Sequence, residues 1–247
     1  MAEEVREPTV EEKDRWVAEA EKFRAEAEFA KAQADRERAG VDYSSAMNQL
    51  VLDKQVRVER EELAGDKFHH IYYFTDPVSG ASGRACMRQL ASWRRQAGGL
   101  PLDLEICFSS PGGDVIEGLA LFDYIQETRR EGHTVTTSTI GYAASMAGIL
   151  LQAGNKRVMG AEAWILIHEI SFGAGGKIGE VEDTVSFVKR IQERVIDIFA
   201  ARCKSAGDAG TASKPLTKAQ LKKHWLRKDW WINSDEALKF GLVDEVR

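Results

Sequence analysis

Ser145 stands where two kinds of local sequence meet. Ahead of it, residues 134–140 (TVTTSTI) are β-branched and Thr-rich, a strand composition; behind it, residues 146–153 (MAGILLQA) are good helix formers. A hydroxyl at such a junction lies beside the unpaired N–H groups of a helix start, ready donors to the oxyanion that forms when it attacks a carbonyl. Small neighbours, Ala143, Ala144 and Ala147, leave the turn open to a substrate. The plainer use of a serine here is to cap the helix with its side chain. Two other features have chemistry to add. The turn Ser109-Ser110-Pro111-Gly112-Gly113-Asp114 joins a strand (102–108) to a helix (115–130), and Gly113, with no Cβ, can aim its N–H into a small space. The Walker lysine is missing, so an oxyanion donor suits this turn better than a phosphate cradle. His168 ends the apolar strand 163–167 (AWILI), and functional groups of α/β sheets collect at strand ends.

The rest of the chain reads as the scaffold for these residues. Residues 9–39 are rich in Ala, Glu, Lys and Arg with no Gly or Pro, a helix composition. Trp16, Ala20, Phe23, Ala27, Ala30 and Ala34 recur in steps of four and three, a narrow heptad seam suited to close packing against the chain's own body, another copy or a partner. Gly40 is expected to end this helix and residues 41–47 to connect onward. Alternation over residues 55–61 (QVRVERE) predicts a half-buried strand, and residues 70–75 (HIYYFT) a second. His69 and His70 have no Cys or carboxylate set beside them to complete a metal site. Helices are expected over 83–96, 178–202 and 217–225, and a short strand followed by a Ser-capped helix over 229–237. Strands joined by helices argue for an α/β fold with parallel pairing.

With 247 residues, 43% hydrophobic and 30% charged, the composition is that of a globular protein with a sizeable core. A net charge of −5 disfavours nucleic acid and anionic membrane as partners. The first fifteen residues lack the basic-then-apolar layout of an export signal, and Cys86, Cys107 and Cys203 are too scattered for a disulfide framework. A reducing, cytoplasmic location is therefore expected.

Four segments, FSSPGGDVIEGLALFDYI (108–125), TIGYAASMAGILLQAG (139–154), AWILIHE (163–169) and DWWINSDEALKFGLVDEV (229–246), carry a resemblance. In that order they resemble the proteolytic subunit of the Clp protease, a serine peptidase of the Clp/crotonase fold, over about residues 70–247. The resemblance implies a repeated ββα spiral, here with a long N-terminal helical extension: helix and connector over 1–50, peptidase domain over 51–247. It makes Ser145 the nucleophile, His168 the general base, Asp229 the carboxylate that orients it, and the backbone N–H groups of Gly113 and Met146 the oxyanion donors. The chemistry is coherent, since a serine hydroxyl needs a base to take its proton and the imidazole needs an acceptor on its other nitrogen. Asp114, Asp197 and Asp235 are other carboxylates available for that last role. No metal or organic cofactor is implied.

The resemblance also implies partners: further copies of the chain in a ring, of seven or of two stacked sevens, and protein or peptide substrates. Where the family has Gln-Pro after the catalytic histidine, this chain has Glu169-Ile170. Where the family lines a cleft with aromatic residues for the hydrophobic loops of an unfolding ATPase, it has Glu105 and Cys107. A carboxylate in an apolar cleft is unfavourable, which argues against a conventional Clp ATPase and for ATP-independent peptide hydrolysis. Two other functions remain open. One is a scaffold or assembly protein that keeps the fold with an inactive triad and acts through its N-terminal helix. The other is a crotonase-type acyl-CoA enzyme, which shares paired oxyanion amides but has no need of Ser145, His168 and Asp229 together.

Overall fold

The computed structural model describes residues 9–226 and 228–247. It divides into two compact units, with the boundary between Leu63 and Ala64. The first is one helix, α1 (Val10–Leu63), 54 residues long. It runs through Gly40 and through the expected connector, and the strand expected over residues 55–61 is its last two turns. The alternating apolar residues there, Val56 and Val58, are flanked by Glu, Arg and Gln, all good helix formers, and among the described residues no strand pairs with this segment to reward an extended chain. The first eight residues, on which part of the export-signal reading rests, lie outside the described residues.

The second unit is α/β. Its elements are β1 (Ile71–Phe74), α2 (Gly80–Gln96), β2 (Asp103–Ser110), α3 (Val115–Arg130), β3 (Thr134–Ala144), α4 (Met146–Leu150), β4 (Lys156–Met159), β5 (Trp164–Ile167), α5 (Ile178–Asp208), α6 (Lys218–Trp225), β6 (Trp230–Asn233), α7 (Ser234–Phe240) and β7 (Glu245–Val246). Strands β1-β2-β3-β4-β7 run parallel in that order, while β5 pairs parallel with the end of β3 and antiparallel with β6. The core lies between the sheet and its helices, with Leu104, Ile106 and Phe108 of β2 against Leu90 and Trp93 of α2 and Leu121 and Ile125 of α3. Thr137 and Thr139 enter that core from β3 without an unpaired hydroxyl, donating to the carbonyls of Leu151 (2.6 Å) and Phe108 (3.0 Å). A buried guanidinium, Arg157, fastens β4 to the C-terminal segment through Asp244 and the Gly241 carbonyl, and to the turn after α4 through Gln152.

One irregularity matters for the site. Phe108 pairs with Thr139 but Ser110 with Ala143, so β3 bulges by two residues opposite the end of β2. Gly141 takes φ +69° inside this bulge. The bend lets the first half of β3 pair with β4 and its last three residues with β5, and it delivers Ser145 to the end of β3, beside the end of β5.

Two expectations change in detail. Helix α7 is capped by Asn233, whose Oδ1 accepts from the Glu236 N–H at 2.9 Å; the neighbouring Ser234 hydroxyl instead donates to the Ala161 carbonyl at 2.6 Å. Helix α5 extends two turns past residue 202, because Cys203 and Ala206 continue its buried face. Among the described residues no helix is long and apolar enough to cross a membrane, and no group of His, Cys, Asp and Glu is arranged to hold a metal.

Candidate active site

Ser145 sits between the end of β3 and the start of α4 with φ +54° and ψ −121°. A non-glycine residue in this region carries backbone strain of about 1–3 kcal/mol, held only where the surroundings over-determine it. Here they do. The Ser145 N–H donates to the Leu166 carbonyl at 2.8 Å, tying the turn to β5, and Ala144, Met146 and Ala147 around it are buried. The side chain makes no capping hydrogen bond, so the plain capping role does not apply. Strain that serves no cap presents a hydroxyl instead.

That hydroxyl borders a cavity of about 240 Å³. Gly113, Ser145, Met146 and His168 all line it, and Ile149, Val195, Phe199 and Trp225 form an apolar wall. Among the described residues, neither the Gly113 nor the Met146 N–H donates to a protein acceptor. The sequence points to Gly113; the structure adds Gly112. At φ +84°, a Cβ on Gly112 would stand 2.7 Å from Ser145 Cβ and 2.8 Å from the Met146 nitrogen, and closer still to the Ala144 carbonyl. The Pro-Gly-Gly turn can therefore rest on the Ser145 turn only because residue 112 has no side chain. Gly113 has its own reason to be glycine, since at φ +150° a Cβ would run into the Val78 backbone. The two-glycine run was the visible signal, but which glycine touches the serine turn was not.

His168 is half-buried at the end of β5. Its Nδ1 lies 2.5 Å from the Glu169 carbonyl oxygen. A carbonyl only accepts, so Nδ1 carries a proton, and in the neutral imidazole Nε2 then keeps the lone pair, the tautomer that a base acting on a hydroxyl requires. Asp229 is not brought to it. It is exposed, it does not line the cavity, and it has no hydrogen bond or ion pair among the described residues. Yet it is one step away in register: β5 and β6 pair antiparallel with Ile167 opposite Trp230, so the next rung would set His168 opposite Asp229. Of the other carboxylates, Asp114 caps α3 by accepting from the Glu117 N–H and Asp197 is held by Lys218; neither is free for the histidine.

On the outer face of the sheet, Glu105 accepts a hydrogen bond from the Ser138 hydroxyl at 2.5 Å and lies 3.9 Å from Arg247, so its charge is partnered where it stands. Cys107 beside it is buried, as a small core residue would be.

A sequence profile described as Clp protease matches residues 71–247. Two curated proteins from two strains of Bacteroides fragilis, each named ATP-dependent Clp protease proteolytic subunit, are 30% identical to this chain over 146 residues. The match covers 58% of this chain and 63% and 60% of theirs, so the chain spans under two thirds of the length of these relatives.

Proposed function

This chain belongs to the Clp protease family, and we propose that it is a serine endopeptidase that works as a ring of identical subunits, with residues 64–247 as the peptidase unit. Ser145 attacks the scissile carbonyl, His168 takes its proton through Nε2, and the amides of Gly113 and Met146 receive the oxyanion. His168 then returns the proton to the leaving amine, and water resolves the acyl-enzyme by the same steps. The observation that carries this reading is the strained, uncapped backbone of Ser145 in one cavity with His168 and two unpartnered amides.

Asp229 completes the site when the β5–β6 ladder gains one rung, which the antiparallel register supports. Its carboxylate then replaces the Glu169 carbonyl on Nδ1 and stabilises the imidazolium that forms during attack. The apolar cavity wall favours an apolar side chain next to the cleaved bond. The anchored carboxylate of Glu105 keeps the outer sheet face polar, and we assign the peptide cleavage itself no ATP requirement. We place the protein in the cytoplasm. Incubation of the full chain with fluorogenic peptides tests this reading: release of fluorophore that is lost in both Ser145→Ala and His168→Ala supports it, and unchanged release in Ser145→Ala overturns it.

A second reading has one observation in its favour. His168 is held by a backbone carbonyl and Asp229 faces solvent, which suits a member of the family that assembles with its triad at rest. Intact rings that never cleave peptide under any condition of assembly would select it.

A further inference from the structure

Every described side chain of α1 is exposed, and the helix is about 81 Å long at 1.5 Å per residue. Trp16 and Phe23, on its heptad seam, are 59% and 70% exposed. Helices of this kind draw their stability from packing an apolar stripe rather than from propensity. We propose that α1 pairs with α1 of a second copy of this chain as a parallel, in-register, two-stranded coiled coil.

Charge along the helix selects the partner and its direction. The seam runs through Trp16, Ala20, Phe23, Ala27, Ala30 and Ala34 and continues at Val41, Val51 and Val58. In a parallel pair, each residue just before the first seam position of a heptad faces the residue five further on in the other helix. That rule sets Glu19 against Arg24 of the second copy, Glu26 against Lys31 and Gln33 against Arg38. Toward the C-terminal end it sets Met47 against Leu52 and Lys54 against Glu59. The charged pairs are opposite in sign and the apolar residue meets an apolar one. Among the described residues, Glu19 has only Arg15 at 3.9 Å and Glu26 only Lys22 at 4.0 Å, long contacts that leave both carboxylates open to a second partner.

Other arrangements fail the same test. Reversing one helix sets like flank against like flank, so that Glu19 and Glu26 lose Arg24 and Lys31 as partners and, with the helices overlapped end to end, Lys31 is set against Arg38 or Arg38 against its own counterpart. The opposite face of α1 also has a seven-residue repeat, with Ala18, Ala25, Ala32, Ala39 and Ala46 beside Phe29 and Tyr43. Acidic residues border it on both sides, Glu21, Glu28, Asp35 and Asp42 on one and Glu19 and Glu26 on the other, so self-pairing there brings carboxylate onto carboxylate in either direction. Asn48 falls on the true seam at the position where a paired asparagine fixes register and favours two strands. Glu37 and, at the C-terminal end, Glu62 are the acidic seam residues, and each would face its own counterpart.

The inference concerns α1 alone, and its failure would leave the peptidase reading untouched. The test uses the full chain with one cysteine added at Ala27→Cys or Ala30→Cys on the seam, or at Ala32→Cys on the far face. The native thiols, Cys86, Cys107 and Cys203, are all buried and stay silent. Under mild oxidation each seam cysteine should couple to its own counterpart, and the far-face cysteine roughly tenfold less, because a disulfide needs close Cβ atoms. Glu19→Lys with Glu26→Lys should suppress coupling at Ala27→Cys, adding Arg24→Glu and Lys31→Glu should restore it, and Glu37→Leu should raise it. Equal coupling at all three positions, or coupling indifferent to charge reversal, or none at the seam in a chain that is helical by circular dichroism, would overturn the proposal.

Discussion

Replacing Gly112 with alanine should damage the site while leaving the fold in place, and a matched glycine separates the two effects. The new Cβ would lie 2.7 Å from Ser145 Cβ and 2.8 Å from the Met146 nitrogen, where ordinary contact begins at 3.4 Å; the shortfall is about 0.7 Å. Relief must come from the Ser145 turn, because the nearest atoms are backbone or sit directly on it. A misplacement near 1 Å in an active site lowers rate by up to about 10²-fold, or about 2.7 kcal/mol of transition-state stabilisation. Alanine at φ +84° adds local strain of about 1–2 kcal/mol. Gly132, at φ +97° with nothing within 4 Å of its would-be Cβ, is the control that carries strain alone. Gly132→Ala should therefore lose about 2–8 °C in Tm, at about 2–4 °C per kcal/mol for a domain of this size, and Gly112→Ala at least as much. Only Gly112→Ala should also slow labelling of Ser145 by a fluorophosphonate, by about 10- to 100-fold. Differential scanning fluorimetry and labelling kinetics on the three proteins read both quantities. Wild-type labelling by Gly112→Ala, or an equal loss in Gly132→Ala, would refute the contact between the Pro-Gly-Gly turn and Ser145 as the cause.

Two other perturbations follow from the structure. Asp244→Ala strips the principal carboxylate from Arg157, whose side chain is only 1% exposed, and should destabilise the protein by about 3–5 kcal/mol in urea titrations. Burial acts to raise the Asp244 pKa, but hydrogen bonds and charge from Arg157, with Arg202 behind, outweigh it and hold the carboxyl below its usual range. The contribution is thus complete above the unfolded carboxylate pKa of about 3.9 and fades as pH falls through the lower folded value, so the Tm gap to Asp244→Ala should be flat above about pH 5 and narrow in stronger acid; a gap constant to pH 2 would contradict the assignment. Asp229→Asn should slow Ser145 labelling by about 10²- to 10⁴-fold if that carboxylate joins the histidine in the working state, while Asp235→Asn should leave it unchanged; equal rates would assign His168 to the Glu169 carbonyl alone.

Much of the α/β unit was legible because its elements obey local rules. The strand-to-helix change around Ser145, the Pro-Gly-Gly turn and the apolar strand before His168 each announce themselves in composition, and each is found where composition puts it. Contacts between distant segments were less legible. No local pattern says that Gly112 rather than Gly113 rests on Ser145, because that depends on a bulge in β3 and the approach of a separate loop. The cap of α7 shows the same limit one residue wide: Asn233 and Ser234 are both good caps, and the Ala161 carbonyl decides by occupying the serine. The strand expected at residues 55–61 went wrong for a related reason. Alternation over seven residues is shared by an edge strand and a charged helix, and the strong helix propensity running in from residues 10–54 settles it. Asp229 stands between these cases, since its segment formed the expected strand β6 and stopped one rung short of His168.

The most direct measurement is to react the full-length chain with a fluorophosphonate, separate the assembled species by size, and locate the adduct by peptide mass spectrometry. The account predicts a single adduct on Ser145, absent from Ser145→Ala and slowed in His168→Ala. An adduct on any other serine, or a folded and assembled chain that never reacts, would contradict it.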